Sequence, residues 1–126
     1  MPPIHVVLTR QNSALSDNIV RSVRKQFLDL ATVTNPEETR SAIARTHAQL
    51  AIVDLEAVNF LELDQLCHEF PTTAFVCIHR IADDSMWSQS LAAGAVDCCL
   101  AGDLPRILQA SQRYVAYKES QATPAA

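Results

Sequence analysis

Leu50-Ala51-Ile52-Val53-Asp54-Leu55-Glu56 is a short apolar run that ends in a carboxylate. Too short for a helix, it reads as a strand covered on both faces, and such strands belong to parallel sheets with helices above and below. Asp54 then stands at the carboxyl end of the strand. In open α/β sheets ligands and chemistry collect at that edge, because the loops leaving it surround a crevice that the strand ends line.

The flanking sequence supplies the rest of such a sheet. Residues 4–9 (Ile-His-Val-Val-Leu-Thr) are β-branched and apolar and predict a first strand ending at Arg10-Gln11. Ser13 is placed to cap a helix whose Leu15, Ile19, Val23 and Phe27 recur every four residues. Asp17 near its start and Arg24 and Lys25 near its end suit the helix dipole. Residues 30–34 predict a second strand. Asn35-Pro36-Glu37-Glu38 supplies a cap, a first-turn proline and a glutamate three residues after the cap, opening a helix through about Thr46. After the central strand, Asn59 caps a helix with Phe60, Leu63, Leu66, Cys67 and Phe70 inward, stopped by Pro71. Residues 74–78 form a fourth strand. Asp83 or Asp84 opens a helix through Met86, Trp87 and Leu91, and Gly94 stands where a left-handed residue would end it. Residues 96–100 form a fifth strand. Asp103 caps a last helix with Leu104, Ile107, Leu108, Ser111 and Val115 on one stripe, before a Ser/Ala/Thr/Pro tail. The expectation is therefore one domain over residues 1–119, with 120–126 a disordered tail or the start of a linker. Strand and helix alternate five times with short connections, which calls for an α/β fold, a single doubly wound (βα)5 unit with a five-stranded parallel sheet.

Composition narrows the function classes. With 126 residues and 48% hydrophobic content the chain suits one domain with a real core. Its net charge of −4 is interspersed, with no basic run of the kind nucleic acid needs. No apolar stretch approaches membrane-spanning length, and Met1-Pro2-Pro3-Ile4 leads straight into a strand without a signal-peptide layout, so the expected location is cytoplasmic, with no nucleic-acid or membrane partner. Cys67, Cys77, Cys98 and Cys99 lack C-x-x-C spacing, and two are adjacent, which reads as free, mostly buried thiols. Strand alternation puts Cys98 and Cys99 on opposite faces, one in the core and the other partly exposed.

The pattern resembles the receiver domains of response regulators, the CheY-like family. The resemblance covers roughly residues 4–118 and rests on Ala51-Ile52-Val53-Asp54-Leu55, with Asp54 at the phosphoacceptor position, and on Ala92-Ala93-Gly94-Ala95-Val96-Asp97 before the fifth strand. It implies strand order 2-1-3-4-5, a place in two-component phosphorelay signalling, and an aspartate phosphorylated by a histidine kinase. The rest of the family's site does not carry over. Where receivers place two Mg2+-holding acids after the first strand, this chain has Arg10 and Gln11. The hydroxyl ending strand four is replaced by His79, the lysine ending strand five by Ala101, and the proline after it by Gly102. Glu56-Ala57-Val58-Asn59 also lacks the usual Pro-Gly turn.

Mg2+ wants near-octahedral oxygen ligands, which a lone carboxylate beside a guanidinium does not supply, so the expectation is no cofactor, with Mg2+ binding lost. Phosphoryl transfer depends on positioning and charge neutralisation, and Asp54 is expected to be a poor phosphoacceptor. The leading reading is a degenerate receiver, non-enzymatic, that signals by protein contact. Two alternatives stand beside it: a working phosphoacceptor at Asp54, and a small-ligand or catalytic site built from Arg10, Asp54 and His79. Arg10 is expected to pair with Asp54 across the first and third strands, and His79 to be a packed or hydrogen-bonded histidine. The expected contact surface, for a protein partner or a homodimer, is the face of the fourth helix, fifth strand and fifth helix. There Tyr114 and Tyr117 fall off the apolar stripe and Arg106 and Arg113 make a cationic row. A histidine kinase is a further candidate partner.

Overall fold

The computed structural model describes residues 4–11, 14–27 and 29–122, with residues 14, 15 and 117–122 described for their backbone alone. Among these residues strands and helices alternate as β1 (His5–Thr9), α1 (Ala14–Gln26), β2 (Asp29–Val33), α2 (Pro36–Thr46), β3 (Leu50–Asp54), α3 (Phe60–Glu69), β4 (Ala74–His79), α4 (Asp84–Ala93), β5 (Asp97–Leu100) and α5 (Leu104–Ala122). All strand pairs are parallel and the sheet order is β2-β1-β3-β4-β5, as the resemblance implies. The fold is the CheY-like α/β fold.

The central strand is dry from Leu50 to Val53. Leu50, Ala51, Ile52 and Val53 have no exposed surface, and their side chains alternate between two cores. Leu50 and Ile52 join Val6, Leu8, Ile19, Val23, Ile107 and Val115 under α1 and α5. Ala51 and Val53 join Val7, Ile43, Leu63, Leu66 and Phe75 under α2, α3 and α4.

Helix ends follow local chemistry. Asn35 accepts from Glu38 N–H at 2.8 Å, with Pro36 in the first turn. Asn59 and Glu62 form a reciprocal capping box. Of the two candidate openers of α4, Asp83 is the cap, accepting from Met86 N–H at 2.9 Å. Ser13 lies outside the described residues. The α2 helix stops on His47 at φ 53°, a left-handed residue without a glycine signal.

Trp87 of α4 is 44% exposed and donates its indole N–H to Asp97 at 3.3 Å. With Ser90 and Ala93 the fully buried positions of α4, the core-facing side of this helix is set by small residues that allow close approach to the sheet. Two expectations are corrected. Cys98 and Cys99 do point to opposite faces, yet both are buried, because α4 covers one side of β5 and α5 the other. Burial pushes the Cys99 thiol up to about 12 and raises those of Cys77 and Cys98, so these thiols are poorly ionised and inert. The α5 helix continues to Ala122, past the expected boundary at residue 120, and residues 123–126 lie outside the described residues.

Gly94 ends α4 at φ 113°, donating to Leu91 and Ser90 carbonyls. A Cβ there would lie 2.8 Å from Cys67 Cβ on α3. Gly94→Ala therefore combines left-handed strain with overpacking of the α3–α4 contact, and it should lower unfolding stability by about 1–3 kcal/mol, read as a lower urea midpoint at unchanged m-value.

Candidate functional site

The carboxyl ends of β1, β3, β4 and β5 open onto a cleft of about 250 Å3 lined by Gln11, Ser16, Ile19, Asp54, Glu56, Ile78, Arg80 and Ala101. The register that aligns Asp54 with Ile78 carries the two following loops side by side, so that Glu56 meets Arg80. Sequence spacing alone does not bring these two together.

Asp54 is half-buried at its floor. Its Oδ1 accepts from Glu56 N–H at 2.9 Å, and its carbonyl accepts from Ala57 and Val58 N–H, which folds the β3–α3 loop back on the strand end. Burial is the largest influence on its carboxyl and raises its pKa above 3.8, outweighing the Glu56 N–H; the Glu56 charge raises it further, while His79 and Arg80 lower it. Among the described residues no cation makes an ion pair with Asp54.

Arg10 does not make the expected pair with Asp54. Its guanidinium turns instead to Asp17 in the first turn of α1, at 2.6 Å. Thr9, just before it, is buried and shares a 2.5 Å hydroxyl contact with Thr39, whose own hydroxyl donates to Asn35 carbonyl, so the end of β1 is pinned to α2. Gln11 lines the cleft but adds a neutral side chain to it.

The cleft's polar network is centred on Glu56. One carboxylate oxygen, Oε1, accepts from Arg80 Nε at 2.5 Å and lies 3.5 Å from His79 Nε2. Ile81 N–H donates to His79 Nδ1 at 3.0 Å, which places the ring proton on Nε2, facing Glu56. His79 is thus a hydrogen-bonded histidine aimed at Glu56, and the trio Arg10, Asp54 and His79 does not assemble. The four groups that do meet are Asp54, Glu56, His79 and Arg80. Ala101 is buried, its N–H donating to His79 carbonyl at 3.0 Å, and contributes a methyl group to the wall.

This donor set does not fit Mg2+. Asp54 already has one oxygen on a backbone N–H, Glu56 is engaged by Arg80, and the remaining wall is Gln11, Ser16, aliphatic carbon and a guanidinium. Among the described residues no group of three or more His, Cys, Asp or Glu is arranged to hold a metal ion.

The face of α4, β5 and α5 differs from expectation in detail. Arg106 reaches Asp97 at 3.2 Å instead of standing free in a cationic row. Asp97 Oδ1 also accepts from Trp87 Nε1 and from Cys98 N–H, so this one carboxylate ties α4, β5 and α5 together. Tyr114 is half-buried and packs on the α1/α5 core rather than pointing clear of it, with the Arg113 guanidinium 5.6 Å above its ring. The side chain of Tyr117 lies outside the described residues. Asp97, Arg106, Gln109, Arg113 and Tyr114 line a shallow groove of about 230 Å3.

No protein-family model and no curated protein matches the chain. Solved structures do. A CheY-like response regulator receiver domain protein from Methanospirillum hungatei superposes with a TM-score of 0.82 at 14% identity, covering 96% of this chain and 100% of the other. The signal receiver domain of a LuxO repressor protein from Vibrio parahaemolyticus gives 0.78 at 16% identity over 98% and 100%. A response regulator from Burkholderia pseudomallei, solved with a phosphorylated aspartic acid, calcium ion and citrate, gives 0.75 at 16% identity over 94% and 72%. The shared property is the fold. Among the described residues no helix is long and apolar enough to cross a membrane.

Because Asp54 is held in a site that raises its pKa, folding favours its neutral form relative to the unfolded chain. Its burial is neutral to stability below about 3.8, where both states are protonated, and becomes a cost as the folded carboxyl is forced to ionise at higher pH. Asp54→Asn keeps an oxygen for Glu56 N–H and removes that cost. The variant should unfold at a higher urea concentration than the parent at pH 7, with the difference shrinking as the pH is lowered toward 4.

Proposed function

We propose that the chain is a receiver-type module of two-component signalling that works through protein contact, with Asp54 unable to act as an efficient phosphoacceptor. The observation that carries the reading is the Glu56–Arg80 pair. The cleft's guanidinium is already neutralised by a carboxylate of the same cleft, so it is not poised over Asp54. Phosphoryl transfer to a carboxylate requires cationic groups on the transferred oxygens, and here those places hold Gln11, an alanine methyl and a histidine directed elsewhere.

The fold supports the contact half of the proposal. Receiver domains act by presenting surfaces to other proteins, and this chain's α4–β5–α5 face carries an exposed tryptophan beside Asp97, together with Arg113 over Tyr114. Trp, Tyr and Arg are the residues most enriched among binding hot spots. An acidic segment of a partner protein fits the arginine side of the groove, and Trp87 offers an apolar anchor next to it. The partner reads a fixed surface, because the loops beneath it are joined by Glu56, His79 and Arg80 without any phosphoryl group.

Incubation with acetyl phosphate and Mg2+, followed by intact-mass measurement, tests the chemical half. The expected spectrum shows the unmodified mass. A phosphate-sized gain that disappears in Asp54→Asn would overturn the proposal in favour of a working phosphoacceptor.

A further inference from the structure

The β2 strand is an edge of the sheet; its one charge, Asp29, stands at the strand's start and is bonded to His5 of β1, and the rest of the strand lacks the features that normally keep edges from pairing. Its ladder to β1 is continuous from Asp29 to Val33 with no bulge, and Leu30-Ala31-Thr32-Val33 contains neither a charge nor a proline. The other edge is different: β5 is only four residues long and begins at Asp97, over which Trp87 and Arg106 converge.

The direction of the free hydrogen-bonding groups on β2 follows from one observed bond. Arg10 N–H donates to Val33 carbonyl, so Val33 turns its peptide groups toward β1, and by strand alternation so do Ala31 and Asp29. Those of Leu30 and Thr32 face outward. Two outward residues flanking Ala31 are the arrangement an antiparallel copy of the same strand requires: with a two-fold axis at Ala31, Leu30 meets Thr32 of the second copy and the pair exchanges both bonds.

The helix above this edge is charge-complementary to itself under the same axis. A groove of about 410 Å3 beside Val33 is lined by Glu37, Glu38, Ser41, Ala42 and Arg45 of α2. Glu37, Ser41 and Arg45 are four residues apart and form one stripe, acidic at its start, basic at its end, with Ser41 in the middle. From Pro36 to Ser41 the helix advances about 7.5 Å, and from Val33 back to Ala31 the strand covers about 6.6 Å, so Ser41 lies near the axis that passes Ala31. The α2 helix packs over β1 and β2. Two copies joined edge to edge would therefore hold their α2 axes roughly two strand spacings apart, about 10 Å, the normal distance of packed helices. Rotation about the axis sets Glu37 of each copy against Arg45 of the other. Among the described residues neither side chain has an ion-pair partner within its own chain.

We propose that two copies of this chain associate through antiparallel pairing of their β2 edges, sealed by reciprocal Glu37–Arg45 contacts between α2 helices. The surface lies on the opposite edge of the sheet from the α4–β5–α5 face, and the proposal stands independently of the chemistry at Asp54.

Sedimentation velocity of the full chain over a concentration series, with and without added salt, is the test. The parent should show a species of twice the 13.8 kDa chain mass, weakened by salt. Thr32→Pro removes an outward N–H that the β1 ladder does not use, a substitution edge strands tolerate, and should give a monomer. Glu37→Arg and Arg45→Glu should each weaken the dimer at least tenfold, and the double exchange should restore it. Circular dichroism confirms that each variant is folded; if Thr32→Pro is not, the charge exchange alone decides. A parent that stays monomeric up to its solubility limit overturns the proposal. So does a dimer that survives the single charge substitutions and is instead broken by Arg113→Glu.

Discussion

The constraint on which the rest of the molecule depends is the burial of β3 on both faces. A strand with no wet side has to be paired along both edges and roofed by helices above and below, since every peptide group and side chain needs a partner other than water. Parallel pairing to β1 and β4 meets the first demand, and the two cores meet the second. Because parallel strands all end on the same side, the loops after β1, β3, β4 and β5 are gathered at one edge. The cleft is a consequence of that arithmetic. Asp54 is placed there by being the residue at which the apolar run stops.

What the cleft then does is decided by who meets whom across the register. Asp54 aligns with Ile78, hence Glu56 with Arg80, and an acid and a base two residues beyond two aligned strand ends form a clasp between the β3–α3 and β4–α4 loops. Arg80 is largely exposed, and exposed ion pairs contribute about 0–1 kcal/mol. The clasp matters for geometry, since His79 Nε2 shares the same Glu56 oxygen while its Nδ1 holds Ile81 N–H. Three consecutive residues of the β4–α4 connection are thereby referred to one carboxylate.

Most of the fold was legible because its signals are local. Asn35, Asn59, Asp83 and Gly94 act where capping chemistry puts them, and the alternation of apolar runs and amphipathic stretches fixes element type and order. Strand order came from the family resemblance alone. The misses share one cause: each needed the third dimension. Arg10 reads as Asp54's partner, but Asp17, seven residues on in α1, captures it. Glu56 and Arg80 were invisible as a pair until the β3–β4 register was known. Tyr114 falls off the helical stripe, yet the neighbouring α1 widens the buried arc of α5 enough to cover half of it.

A scaffold that gathers loops at one edge can be switched only if those loops have two arrangements of similar free energy and a ligand that prefers one. In a phosphorylated receiver the preference comes from charge placed on the aspartate and drawn toward a strand-four hydroxyl and a strand-five lysine. Here His79 and Ala101 stand at those two positions, and the β4–α4 loop is instead held by a carboxylate that belongs to the chain itself. Burial raises the Asp54 pKa and the Glu56 charge raises it further, His79 and Arg80 lower it, and the Arg80 guanidinium is itself paired with Glu56. The loops at this edge are therefore held in the arrangement that is present by contacts among the chain's own Glu56, His79 and Arg80.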